Sequence, residues 1–155
     1  MPSPGQQLNG HTLLHLIGVG GDGEVWKATS PNGDYVALKL RPLAERAEGF
    51  RDEFSRLRRL QIPNIIKVFE EGQTDEFAYF TMELAIGKEL NKGLYVDNTP
   101  TEKLARVLRT FTDISNALLN LHLRGMAHLD IKPSNIIVKP SGQSVLVDFG
   151  RSSYM

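Results

Sequence analysis

The chain has 155 residues, which is enough for one domain with a buried hydrophobic core. Its 18 basic and 18 acidic residues cancel, so there is no basic excess to attract nucleic acid or an anionic membrane. The lack of cysteine excludes disulfides, thiolate nucleophiles and thiolate metal sites. Residues 1–10 lack a secretory signal pattern and are predicted to be a flexible tail, and no apolar stretch is long enough to cross a bilayer. We therefore expect a cytoplasmic protein with no nucleic-acid or membrane partner.

The sequence after the tail predicts an antiparallel meander. Thr12–Ile17 is short and apolar, and Glu24–Ala28 alternates between apolar and polar residues, as a half-buried strand does. A glycine cluster separates these two segments. Residues 31–34 have the composition of a turn, and Tyr35–Leu40 follows as a third strand.

A helix is predicted next, because apolar residues recur at spacings of four and three in a segment that is otherwise charged. These residues are Phe50, Phe54, Leu57 and Leu60. Pro63 ends the helix. Ile65–Glu70 and Ala78–Leu84 are then predicted as two further strands. Residues 11–86 are thus expected to form a compact unit of five strands and one helix.

The second half of the chain is predicted to be mainly helical. Thr99 as N-cap, Pro100 in the first turn and Glu102 in a capping box indicate the start of a long helix, and Gly125 is a plausible terminator. Short strands are expected at 136–138 and 145–147. The pattern changes from strand-like to mainly helical near residues 87–98, so we place the second part at residues 87–155. The helix has a long apolar face made by Leu104, Val107, Leu108, Phe111, Ile114, Leu118 and Leu121.

Three glycines fit the pattern G-x-G-x-x-G, which binds phosphate in two different settings. They are Gly18, Gly20 and Gly23. The dinucleotide-binding version opens into a helix, whereas these glycines open into the strand Glu24–Ala28. The pattern therefore favours a hairpin that lies over a triphosphate with its backbone N–H groups. A glycine-rich turn without a ligand is the alternative.

Lys39 lies in the strand behind this hairpin, where its ammonium could reach phosphate oxygens; the alternative is an ordinary exposed strand residue. A phosphate-binding lysine needs a carboxylate to hold it. Glu53 on the predicted helix is the expected partner, in preference to Glu45 and Glu48, which precede the apolar stripe.

Two motifs late in the chain carry a family resemblance. They are His-Leu-Asp-Ile-Lys-Pro-Ser-Asn at 128–135 and Asp-Phe-Gly at 148–150. With the glycines and Lys39, they resemble the catalytic core of the protein kinase family, and the match runs from about Leu14 to Gly150. The lysine in Asp-x-Lys-Pro is similar to that of serine/threonine kinases, and the glycine segment resembles the bacterial branch. Eukaryotic-like (Hanks-type) serine/threonine kinases are the family that this chain resembles.

The resemblance implies a fold and a reaction. The fold is α+β, with a five-stranded antiparallel N-lobe carrying one helix, a partial and mainly helical C-lobe, and ATP in the cleft between them. Asp130 would position the substrate hydroxyl and Lys132 would neutralise the transferring phosphoryl group. Asn135 and Asp148 would bind Mg²⁺ through oxygen atoms. The residues implied in nucleotide binding are Ile17, Gly18, Gly20, Gly23, Val25, Ala37, Lys39, Met82, Glu83, Ala85, Asn135 and Asp148.

Three features depart from the family pattern. Leu129 replaces an arginine that pairs with a phosphorylated activation loop, so we predict activity that does not depend on such phosphorylation. Asp22 adds a negative charge at the tip of the glycine hairpin. Only five residues follow Gly150, whereas the family continues with substrate-binding elements. His128 is expected to pack against Asp-Phe-Gly rather than transfer protons.

Three functions are therefore open. In the first, the chain is a truncated piece of a serine/threonine kinase that phosphorylates proteins, with weak or no turnover alone. In the second, it is a protein that binds nucleotide without phosphoryl transfer. In the third, it is an interaction module whose exposed helix face docks a partner or a second copy. The complete set of Lys39, Asp130, Asn135 and Asp148 favours the first.

Overall fold

A computed structural model describes residues 1–20, 23–43, 48–93 and 99–154. The chain divides into two compact units. The first unit comprises Met1–Arg59 and Lys67–Leu84, and the second comprises Leu60–Ile66 and Ala85–Met155. In the described residues, no helix is both long and apolar enough to span a membrane.

The first unit is an antiparallel sheet with one helix. Its strands are β1 (Gln7–Leu8), β2 (His11–Gly20), β3 (Gly23–Thr29), β4 (Tyr35–Pro42), β5 (Val68–Gln73) and β6 (Phe77–Met82), and its helix is α1 (Glu48–Arg58). They are arranged in the order β1-β2-β3-β4-β6-β5. The five predicted strands are all present, and the two-residue β1 adds a sixth.

Part of the predicted tail is ordered. Gln7 and Leu8 pair with Thr12 and His11 of β2, and the side chain of Leu8 is buried in the core. The prediction of a flexible tail over residues 1–10 is therefore wrong for this strand. The strand pairs with β2 because Gly10 has a φ of 88°, which lets the chain reverse after β1.

The two faces of the sheet have separate cores. One face buries residues such as Leu13, Trp26 and Leu38. The other buries Phe80 against α1, whose Phe50 and Phe54 rings lie 5.0 and 5.7 Å from the Phe80 ring centroid. The apolar stripe of the predicted helix therefore packs on the sheet face that also carries the odd-numbered residues of β3 and β4.

The segment between α1 and β5 belongs to the second unit. The N–H of Ile66 donates to the Leu146 carbonyl at 3.0 Å, and the N–H of Leu146 donates to Asn64 at 2.8 Å. Ile65 and Ile66 are buried there and do not begin a strand of the main sheet, which is where they were predicted. The strand instead starts at Val68, and the predicted range 11–86 for the first part is interrupted at 60–66.

The second unit is built on a long helix. Its elements are β7 (Lys88–Glu89), α2 (Leu90–Gly93), α3 (Pro100–His122), β8 (Met126–Ala127), a 3-10 turn (Pro133–Asn135), β9 (Ile136–Val138), β10 (Ser144–Leu146) and β11 (Ser153–Tyr154). The predicted ribbon forms between β9 and β10, and β7 adds a third strand beside β9. Separately, β8 pairs with β11.

The predicted capping box of α3 is confirmed. The Thr99 hydroxyl accepts from the Glu102 N–H, and the Glu102 carboxylate accepts from the Thr99 N–H at 3.2 Å. The helix buries Thr110, Ile114, Ala117 and Leu121. Three residues of the predicted apolar face, Leu104, Leu108 and Phe111, are instead exposed, so that face is divided between core and surface.

Candidate active site

The first unit holds Lys39 and Glu53 in a buried ion pair. The Lys39 Nζ lies 2.9 and 2.8 Å from the two Glu53 carboxylate oxygens. Lys39 is 5% exposed and Glu53 2% exposed, so water screens the pair very little. The predicted partner is therefore in contact with Lys39. Of the two alternatives, Glu45 and the side chain of Glu48 lie outside the described residues.

The sheet register explains why the pair forms here. Lys39 lies directly opposite Val25 on β3 and Phe80 on β6. Its Nζ lies 5.9 Å from the centroid of the Phe80 ring, against which α1 packs. The packing of α1 on this face thus brings the Glu53 carboxylate to the lysine.

Residues predicted to contact adenine share this face of the sheet. Ala37 is the register partner of Met82, and Val25 is that of Lys39, so all four side chains point to one side. Beyond Met82 the chain leaves the sheet: the N–H of Glu83 donates to the Lys67 carbonyl at 2.8 Å, and Ala85 is half-buried. Ile17 is 48% exposed on β2.

The predicted glycine hairpin joins β2 and β3. Gly18 pairs with Val25, and Gly20 pairs with Gly23, with an irregularity in the register between Leu16 and Gly18. Gly23 has a φ of 119°, and a Cβ there would collide with the Leu40 carbonyl oxygen. Glycine is therefore required at this position. Asp22, predicted at the tip, lies outside the described residues.

The second unit brings Asp130, Lys132 and Asn135 together. The Lys132 Nζ lies 2.7 Å from Asp130 Oδ2, and the Asn135 Nδ2 donates to the same oxygen at 3.0 Å. Asn135 also donates to the Asp130 carbonyl oxygen at 2.9 Å. Asn135 is 5% exposed and is fixed by the 3-10 turn that Pro133 begins.

These hydrogen bonds keep Asp130 ionised. The bond from Lys132, together with that from Asn135, holds the pKa of the Asp130 carboxyl below its usual range, although partial desolvation opposes the shift. Arg151 Nη1 lies 4.0 Å from the other oxygen, Oδ1, and acts in the same direction. The sequence did not predict Arg151, because its proximity arises only when the chain after Asp-Phe-Gly folds back.

His128 connects the segment 128–135 to Asp-Phe-Gly. Its Nδ1 accepts from the Asp130 N–H at 3.3 Å, so the ring proton lies on Nε2, which faces the Val147 carbonyl at 3.3 Å. The ring meets Phe149 edge-on at 4.5 Å. His128 is 1% exposed, and its burial lowers the pKa of the imidazole. The histidine is thus a neutral packing residue.

Hydrogen bonds to backbone carbonyl groups hold the residues on both sides of Asp148. The Val147 N–H donates to the Asn135 carbonyl at 2.9 Å, which links the metal-ligand candidates Asn135 and Asp148. Asp148 has a φ of 63°, and the Ser152 hydroxyl donates to the Phe149 carbonyl at 2.7 Å. No cluster of three or more His, Cys, Asp or Glu side chains suited to a metal occurs among the residues described.

The geometry of the second unit agrees with a known family. Residues 11–155 match the model of the protein kinase domain. The chain belongs to the protein kinase family. It is 34% identical to the serine/threonine-protein kinase PknA of Mycobacterium tuberculosis over an alignment of 161 positions, which covers 96% of this chain and 37% of PknA.

Other proteins that the chain resembles are also protein kinases. The chain is 33% identical to the DNA damage-responsive serine/threonine-protein kinase RqkA of Deinococcus radiodurans, covering 96% of this chain and 23% of RqkA. It is 35% identical to CBL-interacting protein kinase 19 of Oryza sativa, and the match covers 96% of this chain and 30% of that protein. This chain thus spans well under half the length of these relatives. Its own fold is the α+β arrangement described above.

Proposed function

We propose that this kinase chain forms the ATP-binding and catalytic-loop part of an enzyme that transfers the γ-phosphoryl group of Mg·ATP to a serine or threonine of a protein. The observation that carries the proposal is the arrangement at Asp130, whose carboxylate is held by both Lys132 and Asn135. A structural loop does not need an ionised, half-buried carboxylate with two fixed donors.

Asp130 is suited to position an acceptor hydroxyl. A carboxylate whose pKa is depressed remains an acceptor at neutral pH, so it can hold the hydroxyl proton and direct the oxygen lone pair. Lys132, at 2.7 Å, places a positive charge beside the position where phosphoryl charge would develop. Because phosphoryl transfer depends on positioning and charge stabilisation, these groups are sufficient for the catalytic-loop role.

The residues of the first unit are suited to the nucleotide. Lys39, oriented by Glu53, would bind phosphate oxygens, and the glycine hairpin would approach the phosphates through its backbone. The sheet face that carries Val25, Ala37 and Met82 offers apolar contact for adenine. We assign the remaining nucleotide contacts to Ile17 and to the backbone of Glu83 and Ala85.

Asn135 and Asp148 are the residues that would hold Mg²⁺. Both offer hard oxygen atoms, and two protein ligands suit Mg²⁺, which completes its shell with phosphate oxygens and water. When bound, the ion neutralises phosphate charge. An enzyme that consumes ATP works where ATP is supplied, so we place its activity in the cytoplasm.

Turnover by this chain alone is expected to be weak or absent, since it spans 37% of PknA. Nucleotide binding without transfer is therefore the alternative outcome. The replacement of the family's arginine by Leu129 further predicts that activity is independent of activation-loop phosphorylation, because leucine cannot bind a phosphate.

Two measurements test the proposal. Mg·ATP should raise the melting temperature of the wild-type chain and of Asp130→Asn, but not of Lys39→Met, which removes the phosphate ligand. Whatever incorporation of γ-phosphate into a generic protein acceptor the wild-type chain supports should be lost in Asp130→Asn and retained in Asp75→Asn, a matched change at an exposed carboxylate. A melting temperature that Mg·ATP leaves unchanged in the wild type would refute nucleotide binding. Binding without any incorporation would support the alternative.

A further inference from the structure

Helix α1 lies over strand β6 of the first unit, with β4 and β5 on its two sides. Its Phe50 and Phe54 rings pack on the Phe80 ring of β6, and β6 pairs with β4 on one side and with β5 on the other. Apolar packing is not directional. These ring contacts therefore hold α1 on the sheet without fixing the rotation of the helix about its own axis.

The two sides of α1 carry different polar residues. At about 100° per residue, Glu53 falls roughly 60° to one side of Phe50. Arg51 and Arg58 fall roughly 80–100° to the other side. Because Glu53 binds Lys39 of β4, the two arginines lie on the side of the helix that faces β5.

Both arginines donate hydrogen bonds to β5. The Nη2 of Arg51 donates to the side-chain oxygen Oε1 of Gln73 at 2.6 Å, and the Nη1 of Arg58 donates to the Phe69 carbonyl at 3.4 Å. The Arg58 guanidinium also lies 5.7 Å from the centroid of the Phe54 ring. The arginines are about 10 Å apart along the helix, and their acceptors are about 13 Å apart along the strand. One bond to β5 therefore lies near each end of α1.

The acceptor of Arg51 is held in place independently of α1. Gln73 pairs with Ala78 of β6, and its carbonyl oxygen accepts from the Asn9 Nδ2 at 3.1 Å. Asn9 lies in the turn between β1 and β2, so the N-terminal hairpin fixes this end of β5. Because Gln73 is fixed in this way, its bond to Arg51 restrains α1.

We propose that Arg51 and Arg58 are positioning residues, which hold α1 against β5 and so keep the Glu53 carboxylate at the Lys39 ammonium. A rotation of α1 that withdraws Glu53 from Lys39 would also displace both guanidinium groups from their acceptors. The positive charge of the donors strengthens these bonds, whereas exposure to water weakens them, so the two act together. The inference rests on the proposed function, in which Lys39 binds nucleotide phosphate.

Chemical acetylation of Lys39 measures how often α1 moves away from it. Lys39 is 5% exposed and paired, so without nucleotide it should react slowly with an acetylating ester, as read by mass spectrometry at low conversion. The double variant Arg51→Met/Arg58→Met keeps long side chains but removes the donors, and its Lys39 should react about 5- to 10-fold faster. Arg59→Met, at an exposed arginine just beyond α1, is the matched control and should react at the wild-type rate.

Substitution of Gln73 separates the effect of the hydrogen bond from that of side-chain size. Gln73→Glu keeps an acceptor oxygen for Arg51 and should leave Lys39 as slow to react as in the wild type. Gln73→Met is of similar size but lacks this oxygen, and it should raise the rate at Lys39 by about 2-fold or more. Amide hydrogen exchange in β4 should be the same in all these chains, because the sheet itself stays folded.

Equal reactivity of Lys39 in the wild type and in the double arginine variant would overturn the proposal. Equal acceleration by Gln73→Glu and Gln73→Met would also overturn it, as would faster amide exchange in β4 that accounts for the faster acetylation. Excess Mg·ATP should slow the reaction of Lys39 in the wild type, because phosphate then holds the ammonium. Mg·ATP that leaves this rate unchanged would refute the proposed role of Lys39 in nucleotide binding, whereas the rates without nucleotide decide the role of the arginines.

Discussion

The Lys39 ammonium donates to both carboxylate oxygens of Glu53, at 2.9 and 2.8 Å, across a sequence separation of 14 residues. Neither side chain is more than 6% exposed. Two buried charges stabilise each other only as a pair, because the removal of one leaves the other without compensation in a medium of low dielectric constant.

We expect Lys39→Met to lower the free energy of unfolding by about 3–5 kcal/mol, because it strands the Glu53 charge. The double variant Lys39→Met/Glu53→Leu should recover most of this loss, since apolar side chains of similar size can replace the pair. Urea unfolding measures both. The matched control is Lys92→Met, which breaks the exposed pair with Glu89 and should cost less than about 1 kcal/mol. A double variant as unstable as Lys39→Met would contradict this account.

The pairing of Lys39 with Glu53 was predictable because the apolar stripe of a helix fixes which side of that helix faces the sheet. Phe50, Phe54 and Leu57 must face the sheet, and Glu53 lies within the same turn. The capping box of α3 was predictable for the same reason, since it depends on three neighbouring residues. Local patterns thus determined most of the helices and strands.

What the sequence did not predict depends on contacts between distant segments. Ile65 and Ile66 have the composition of a strand, but they pack with Leu146 in the second unit. Arg151 lies near Asp130 only because the chain after Asp-Phe-Gly folds back, with β11 pairing with β8. Apolar pattern alone could not divide the face of α3 into buried and exposed parts, because both parts consist of similar residues.

His128 makes the stability of the chain depend on pH. Burial lowers the pKa of the folded imidazole from its ordinary value of 6.5, so the unfolded chain binds the proton more readily. The contribution of the neutral ring is complete above pH 6.5 and is lost as the pH falls below it. Protonation would also break the bond that Nδ1 accepts from the Asp130 N–H.

The expected result is a free energy of unfolding that falls between neutral and mildly acidic pH in the wild type. In His128→Gln this fall should be smaller, because the variant cannot take up the proton. His122→Gln, the same change at an exposed histidine, is the matched control. Denaturant unfolding at a series of pH values tests this, and identical pH dependence in all three chains would exclude His128 as the cause.

Leu129 adopts a left-handed backbone conformation, with a φ of 63°, although it is not glycine or asparagine. Its side chain is 63% exposed, so little apolar burial compensates for the strain. Leu129→Asn should therefore stabilise the chain by about 0.5–1 kcal/mol, because asparagine tolerates this region more readily. Leu123→Asn is the matched control, since Leu123 is 75% exposed with a right-handed φ of −61° and should gain nothing. Equal effects of the two substitutions in thermal unfolding would argue against backbone strain at Leu129.

Gly23 and Gly20 are register partners in the hairpin, yet they should respond differently to a methyl group. In Gly23→Ala the Cβ meets the Leu40 carbonyl, and the φ of 119° is unfavourable for alanine, so we expect a loss of about 1–3 kcal/mol in stability. In Gly20→Ala the Cβ meets no atom of the described residues within 4 Å, so the fold should be retained. Any loss of Mg·ATP affinity in Gly20→Ala then reports on phosphate approach alone, because the hairpin itself is intact. Comparing the unfolding free energies of the two variants with their Mg·ATP-induced shifts separates the structural role of Gly23 from the binding role that we propose for Gly20. Equal destabilisation of both would show that the collision at Leu40 does not determine the hairpin.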